Sequence, residues 1–147
     1  MATAELVLGL LENKNVILVG NSVEILNYNK GEFIDSHDVV IRMGKGLPRE
    51  KHLLQLGAKV DLWATGFLRA SQLAERDNLK NVPKLLNRTR INLNSAKELD
   101  KALIGEFHTM FTDEELLAIY DEFGYVNNAL LGRPSNGFIT LLWLIKK

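Results

Sequence analysis

The sequence contains no cysteine. A disulfide framework and a thiolate metal site are therefore both excluded, and the chain suits a reducing compartment. Neither sign of charge is in excess: 18 Lys and Arg stand against 18 Asp and Glu. A nucleic-acid or anionic-membrane surface needs cations gathered in excess, so neither partner is expected. Prolines number only three and 46% of residues are hydrophobic, a composition that excludes a disordered chain. No apolar run approaches the roughly 18 residues of a membrane span. The opening "MATAELVLGLLENK" has no basic region ahead of an apolar one, so it reads as an amphipathic first helix and not as a signal peptide. These absences lead to the expectation of one cytoplasmic domain over 1–147, long enough to bury a single core.

Short apolar runs rich in β-branched residues fill the first half. They are "NVILVG" (15–20), "DVVIRM" (38–43) and "KVDLWAT" (59–65). None alternates cleanly with polar residues, so both faces are expected to be covered, as in a parallel sheet. The spacing between runs leaves room for right-handed crossovers. "KLLNRTRINLN" (84–94) holds one or two further strands interrupted by Asn and Arg. The expected fold class is therefore α/β, a mostly parallel sheet flanked by helices.

Helix signals concentrate later. "SAKELDKAL" (95–103) opens with a Ser that can cap its own first turn. In "FTDEELLAIYDEFG" (111–124), Thr112 and Glu115 form a capping box, Phe111 and Leu116 a hydrophobic staple, and Gly124 a C-terminal stop. Leu116, Tyr120 and Phe123 fall on one helical face. The segment "SNGFITLLWLIKK" (135–147) is apolar nearly all round between Phe138 and Ile145, as in a helix surrounded by protein. Two readings of it stand open: a terminal helix tucked into the core, or part of a larger protein.

Two polar turns carry the chemistry. "VILVGNS" (16–22) is an apolar strand running into Gly20, Asn21 and Ser22. In doubly wound folds ligands sit beyond the carboxyl ends of strands. Gly20 permits close backbone approach, Asn21 offers donor and acceptor, and Ser22 can cap the following turn. In "RPSNG" (133–137), Ser135 or Asn136 is an N-cap candidate and Gly137 leaves space at a helix start, where backbone N–H groups favour a phosphate. Arg133 can add a charge there. A plain helix cap explains either turn taken alone. Between them, Asp35, Ser36, His37 and Asp38 form a polar turn ahead of the second strand. His37 lies at the wrong strand end for a ligand and reads as a structural turn residue. Arg42, Met43 and Gly44 lie at the correct end. The charged loop "GKGLPREKHLLQLG" (44–57) reads as solvated, with glycan contact as the alternative.

At these residues a family becomes visible. "VILVGNSVEILNYNKGEFIDSHDVVIRMGKGLP…GAKVDLWATG" resembles the large sialyl motif of the sialyltransferases, glycosyltransferase family 29. That motif has a strand ending V-G-N-S, a G-x-x-I-D-x-H-D turn, a strand ending R-x-N, then a Pro and a G-x-x-x-D stretch. "RPSNGFITLLWLI" resembles the small sialyl motif, P-S-T-G before an apolar helix. Together the two cover about 16–66 and 132–145. The resemblance implies a Rossmann-like fold, a GT-A-like variant, and transfer of sialic acid from a CMP-sugar donor to a glycan acceptor. It also implies an inverting, metal-independent reaction with no cofactor. Gly20, Asn21, Ser22, Arg42, Gly44, Ser135, Asn136 and Gly137 become the expected substrate-binding residues, with the Asn21 turn and the S-N-G turn meeting one nucleotide.

Departures accompany the resemblance. Gly44 stands where the family has the asparagine of R-x-N, and Asn136 where it has the threonine of S-T-G. The family's two bridging cysteines and its membrane anchor are not in this sequence, which points to a bacterial or viral setting. The histidine-bearing third and final motifs, which supply the catalytic base, follow the small motif in the family; His37, His52 and His108 all precede it here. The expectation is the N-terminal, nucleotide-sugar-binding part of a glycosyltransferase, its catalytic residue unassigned. Two alternatives are a nucleotide-binding module without catalysis, and a serine hydrolase with Ser22 as nucleophile and His37 as base. The latter lacks the G-x-S-x-G elbow at Glu24.

Overall fold

In the computed structural model, residues 4–66, 79, 81–87, 107–124 and 134–146 are described. The apolar runs become neighbouring strands: β1 (Val16–Val19), β2 (Val39–Met43), β3 (Leu62–Gly66), β4 (Lys84–Asn87) and β5 (Phe107–Thr109). They form one sheet in the order β1-β2-β3-β4-β5, every pair parallel. The α/β, Rossmann-like expectation holds. The predicted helix at 95–103, the strand residues 88–94 and Arg133 lie outside the described residues.

Side chains alternate between two covered faces. Val39, Ile41, Met43, Leu62, Ala64 and Leu85 join one core beneath the helices α1 (Ala4–Leu11), α4 (Asp113–Glu122) and α5 (Asn136–Lys146). Val19, Val40, Trp63 and Leu86 point the other way, under the crossover segments. Those crossovers carry a 3-10 turn (Val23–Asn27), α2 (Gly31–Asp35), a second 3-10 turn (Glu50–His52) and α3 (Leu53–Leu56). Coverage of both faces is why the strands read as unbroken apolar runs.

The capping box of α4 forms as expected: Glu115 N donates to Thr112 Oγ1 at 3.2 Å, and Thr112 N to Glu115 Oε2 at 2.7 Å. Leu116 and Tyr120 are buried. Phe123 stays half-exposed and meets Phe138 of α5 edge-to-face at 5.2 Å. α5 departs from the all-round burial its composition predicts. Ile139, Thr140 and Trp143 are buried against the sheet, whereas Leu141 and Ile145 are 49% and 72% exposed among the described residues. One stripe at i and i+4 meets the sheet, and the opposite stripe does not.

The large-motif residues behind the turn prove to be a polar lock. Asp35, ending α2, accepts from Ala58 N at 2.7 Å and Lys59 N at 3.0 Å. Arg42, fully buried on the crossover face of β2, donates from Nε to Lys59 O at 3.0 Å and holds its Nη2 3.8 Å from Asp35 Oδ1. Burial pushes this guanidinium below its ordinary value, and the Asp35 charge opposes that shift. Asp61 accepts from Val40 N at 2.8 Å, Asp38 from Asn15 N at 2.9 Å, and the Lys59 ammonium caps the carbonyls of His37 and Asp38. His37 itself bonds Phe33 O through Nδ1 at 2.9 Å, the structural role expected of it. Two glycines make room. Gly31 packs against the backbone of α3, and Gly57, at φ +70° and ψ 175°, lies where a Cβ would overlap Asp35 Oδ1.

Gly57→Ala should therefore cost about 2–4 kcal/mol, combining backbone strain with displacement of the carboxylate that holds two backbone N–H groups. Urea unfolding measures it, and a loss below about 1 kcal/mol would contradict the lock. A second expectation concerns Lys84, fully buried with Nζ donating to Leu79 O (3.0 Å) and Val82 O (2.8 Å). Desolvation lowers its pKa. The folded state thus binds fewer protons than the unfolded chain between that lowered pKa and the ordinary value near 10.4. The burial penalty is fully present below this window and is relieved as pH rises through it. Wild-type stability relative to Lys84→Met should accordingly increase toward about pH 10. A difference independent of pH would refute this.

Candidate active site

The site is the rim formed by the carboxyl ends of the strands. β1 runs out through Gly20 into Asn21 and Ser22, all three exposed. Ser22 caps the following 3-10 turn by accepting from Glu24 N at 3.3 Å, which leaves its O–H free to donate outward. β2 runs out through Met43 into Gly44, whose φ of +50° is left-handed. That backbone suits glycine and, next best, asparagine. Glycine here, where the resemblance expects asparagine, keeps the turn without the side chain. Gly44 is pinned at both ends: its N–H donates to Ala64 O at 2.9 Å, and its carbonyl accepts from Trp63 Nε1 at 2.9 Å.

These loops touch. A Cβ on Gly44 would stand 3.1 Å from Asn21 Nδ2, and one on Gly46 would stand 3.0 Å from Gly20 O. The turns after β1 and β2 therefore lie against each other, with glycine supplying the clearance.

α5 reaches the same rim from the opposite face. Ser135 is its N-cap, accepting from Phe138 N at 3.1 Å. Asn136 Oδ1 accepts from Asn87 Nδ2, at the end of β4, at 2.9 Å. A Cβ on Gly66, ending β3, would come within 4.0 Å of Asn136 Nδ2. Gly137 leaves room for Met43: a Cβ there would meet Met43 Cε at 2.9 Å. A chain of contacts thus runs from Asn21 through Gly44 and Met43 to Gly137 and Asn136. Two turns more than a hundred residues apart in sequence share one edge of the sheet.

Of the expected site residues, Gly20, Asn21, Ser22, Ser135 and Asn136 lie exposed on this rim, and Gly44 and Gly137 are half-buried within it. Arg42 does not join them, because its guanidinium is buried beneath the sheet in the lock. Ser22 and His37 are also kept apart. Val16 of β1 pairs with Val39 of β2 in parallel register, so His37 precedes one end of the sheet and Ser22 follows the other. That separation removes the geometric basis of a Ser22–His37 hydrolase.

Sequence reasoning missed two contributors. Asn87 looked like an interruption in a strand, yet it anchors the start of α5. The loop after Gly44 read as solvated, with glycan contact as the alternative; with Asn21 and Ser22 it walls a cavity of about 250 Å³ that Lys45, Arg49 and His52 also line. The available signal was a cation-rich loop directly after a strand-end glycine. Among the described residues, no three His, Asp or Glu side chains converge as a metal would require. No helix among them is long and apolar enough to cross a membrane.

No curated protein matches the chain significantly. A family model does: that of glycosyltransferase family 29 (sialyltransferase), over residues 11–123. The matched span takes in both turns of the large-motif block and its lock, and it ends before the S-N-G turn. Covering well over half of the chain, the match makes this protein a member of glycosyltransferase family 29, the sialyltransferases.

Proposed function

We propose that the rim is the donor site of a sialyltransferase that takes sialic acid from a CMP-sugar and passes it to a glycan acceptor. The observation that carries this reading is the contact chain from Asn21 to Asn136. It brings two donor-rich turns and a helix N-terminus to one place, which suits a phosphodiester. The Asn21 amide, the Ser22 hydroxyl, the N-cap region of α5 and the exposed backbone after β1 would hold the phosphate. As the bond from anomeric carbon to phosphate oxygen breaks, these groups would stabilise the charge that builds on the leaving CMP. The acceptor hydroxyl would attack from the opposite side and invert the centre, its proton passing to a base. Of the three histidines, His37 sits at the far end of the sheet and His108 within β5 beside Trp143, ring centroids 5.5 Å apart. Only His52 lines the rim cavity. Family membership favours an inverting, metal-independent reaction, and the cysteine-free sequence suits a cytoplasmic setting.

In this reading Gly44 supplies backbone shape and Trp63 holds its carbonyl from behind. Calorimetric titration should detect CMP, and Asn21→Ala should weaken it about tenfold, the loss of one hydrogen bond to a charged group. Because Asn21 is exposed, this variant should keep the wild-type circular dichroism spectrum. Silence at millimolar CMP would overturn the proposal, and CMP binding without transfer would make the chain a binding module. Gly44→Asn should lose less stability than Gly44→Val and tighten CMP, because asparagine tolerates the left-handed turn better and restores a donor. Gly44→Val should lose at least about 1 kcal/mol of stability. Equal behaviour of the two variants would contradict the role given to the turn.

A further inference from the structure

Among the described residues the outer edge of β1 pairs with no strand. Val39 N donates to Asn15 O at 3.2 Å, and Val16 stands in register with Val39. Successive residues of a strand direct their backbone groups to opposite sides, so Asn15, Ile17 and Val19 bond β2. Val16 and Leu18 turn their N–H and C=O groups outward. An edge of this kind is normally guarded by a charge, a proline or a bulge. Val16–Val19 is aliphatic throughout and has none of them.

An apolar groove flanks this edge on each face of the sheet. On the helical side, Val16 and Leu18 with Leu8, Leu11, Leu141 and Leu144 line one of about 650 Å³, aliphatic but for Glu12 among its described lining. On the crossover side, Ile17 and Val19 with Ile25, Phe33 and Ile34 line a second of about 250 Å³. Val16, Ile17 and Leu18 are consequently only half-buried, whereas β2 and β4 are buried at every residue. Leu141 and Phe33, both exposed, are walls of these grooves. A strand that bonded this edge would have to be apolar on both of its faces. An ordinary surface strand, polar on alternate residues, does not qualify.

β1 itself meets that requirement, and it is self-complementary. A two-fold axis normal to the sheet, set between two copies of one edge strand, makes the pair antiparallel. The bonded residues must face outward in both copies. That condition matches Val16 with Leu18 of the second copy, each pair exchanging both backbone bonds, and centres the axis on Ile17. The flanking charges agree with this sense. Lys14 precedes the strand and Glu24 lies in the turn that follows it. Antiparallel pairing sets Lys14 across from Gly20 of the second copy, where the turn carrying Glu24 begins; a parallel pair would set Lys14 beside Lys14. Among the described residues Lys14 forms no ion pair, the two pairs being Arg42–Asp35 and Lys59–Asp61.

We infer that β1 is the interface of a homodimer. Two copies join their sheets edge to edge through antiparallel β1 strands, and the groove on each face merges with its counterpart and closes.

Light scattering on the full chain should give twice the 16.6 kDa of one copy at micromolar concentration. Amide exchange locates the contact. The Val16 and Leu18 amides should be protected in the dimer and exposed on dilution, while those of Ile17 and Val19 stay protected by β2. Val16→Pro removes an outward donor without touching the β2 ladder, and should leave a monomer with the wild-type circular dichroism spectrum. Lys14→Glu should weaken the dimer about threefold to tenfold at low salt, and adding Glu24→Lys should restore it. Leu117→Lys, exposed on α4, should remain dimeric. A single-copy mass at every concentration would overturn the inference, as would open-ended larger particles. So would a dimer whose Val16 and Leu18 amides exchange freely, or one indifferent to both Val16→Pro and the charge exchange. Protection of those amides in a monomer would also overturn it, by assigning the edge to another segment of the same chain.

Discussion

The structure depends on one carboxylate. Asp35 closes α2 by accepting two consecutive backbone N–H groups, from Ala58 and Lys59, which begin the approach to β3. Beside it the buried Arg42 guanidinium bonds the Lys59 carbonyl. Together they tie three chain segments into one body beneath the sheet. Removing Asp35 leaves the wholly buried guanidinium without its counter-charge, which is destabilising, whereas Asp35, one-third exposed, would keep its two backbone donors without Arg42. The left-handed Gly57 and the crowded Gly31 follow from it, because any side chain there would fill the space that the carboxylate and the α3 backbone occupy.

The loop after β2 is held by a separate contact. Trp63, wholly buried on the same face as Arg42, reaches the Gly44 carbonyl with its indole N–H. The turn that carries Gly44 and Gly46 is thereby set against Asn21. The rim combines rigid backing with exposed donors. Asn21 and Ser135 face outward while the residues behind them are buried and bonded, the arrangement electrostatic preorganisation requires. The lysine and arginine of the adjoining loop add charge to that edge without being drawn into the lock.

Much of this was legible in the residues. β1, β2 and β3 announced themselves as apolar β-branched runs, and α4 as a capping box with its stop. Asn21, Ser22 and the S-N-G turn stood where strand and helix signals end, so their polarity had no core to explain it. β5 was not legible, because Phe107, His108 and Thr109 form too short a run to show any period. α2 and α3, of five and four residues, are held by tertiary contacts at Gly31 and Gly57 that no local propensity encodes. Arg42 sits at the correct strand end, but alternation along the strand turns it inward, and sequence position alone does not give that direction. Lys45, Arg49 and His52 escaped notice because a concave wall and a solvated loop share the same composition.

The consecutive strand order has a consequence for how the molecule comes together. Among the described residues each strand pairs with its predecessor and successor alone, so the sheet can lengthen in the order the ribosome delivers it, one crossover at a time. The rim does not follow that order. Its second half is supplied by a helix that must return across the finished sheet to meet Met43 and, 49 positions back from Asn136, Asn87. A nascent chain with the five described strands in place would therefore hold half of the rim, which is completed in the single step when that helix seats.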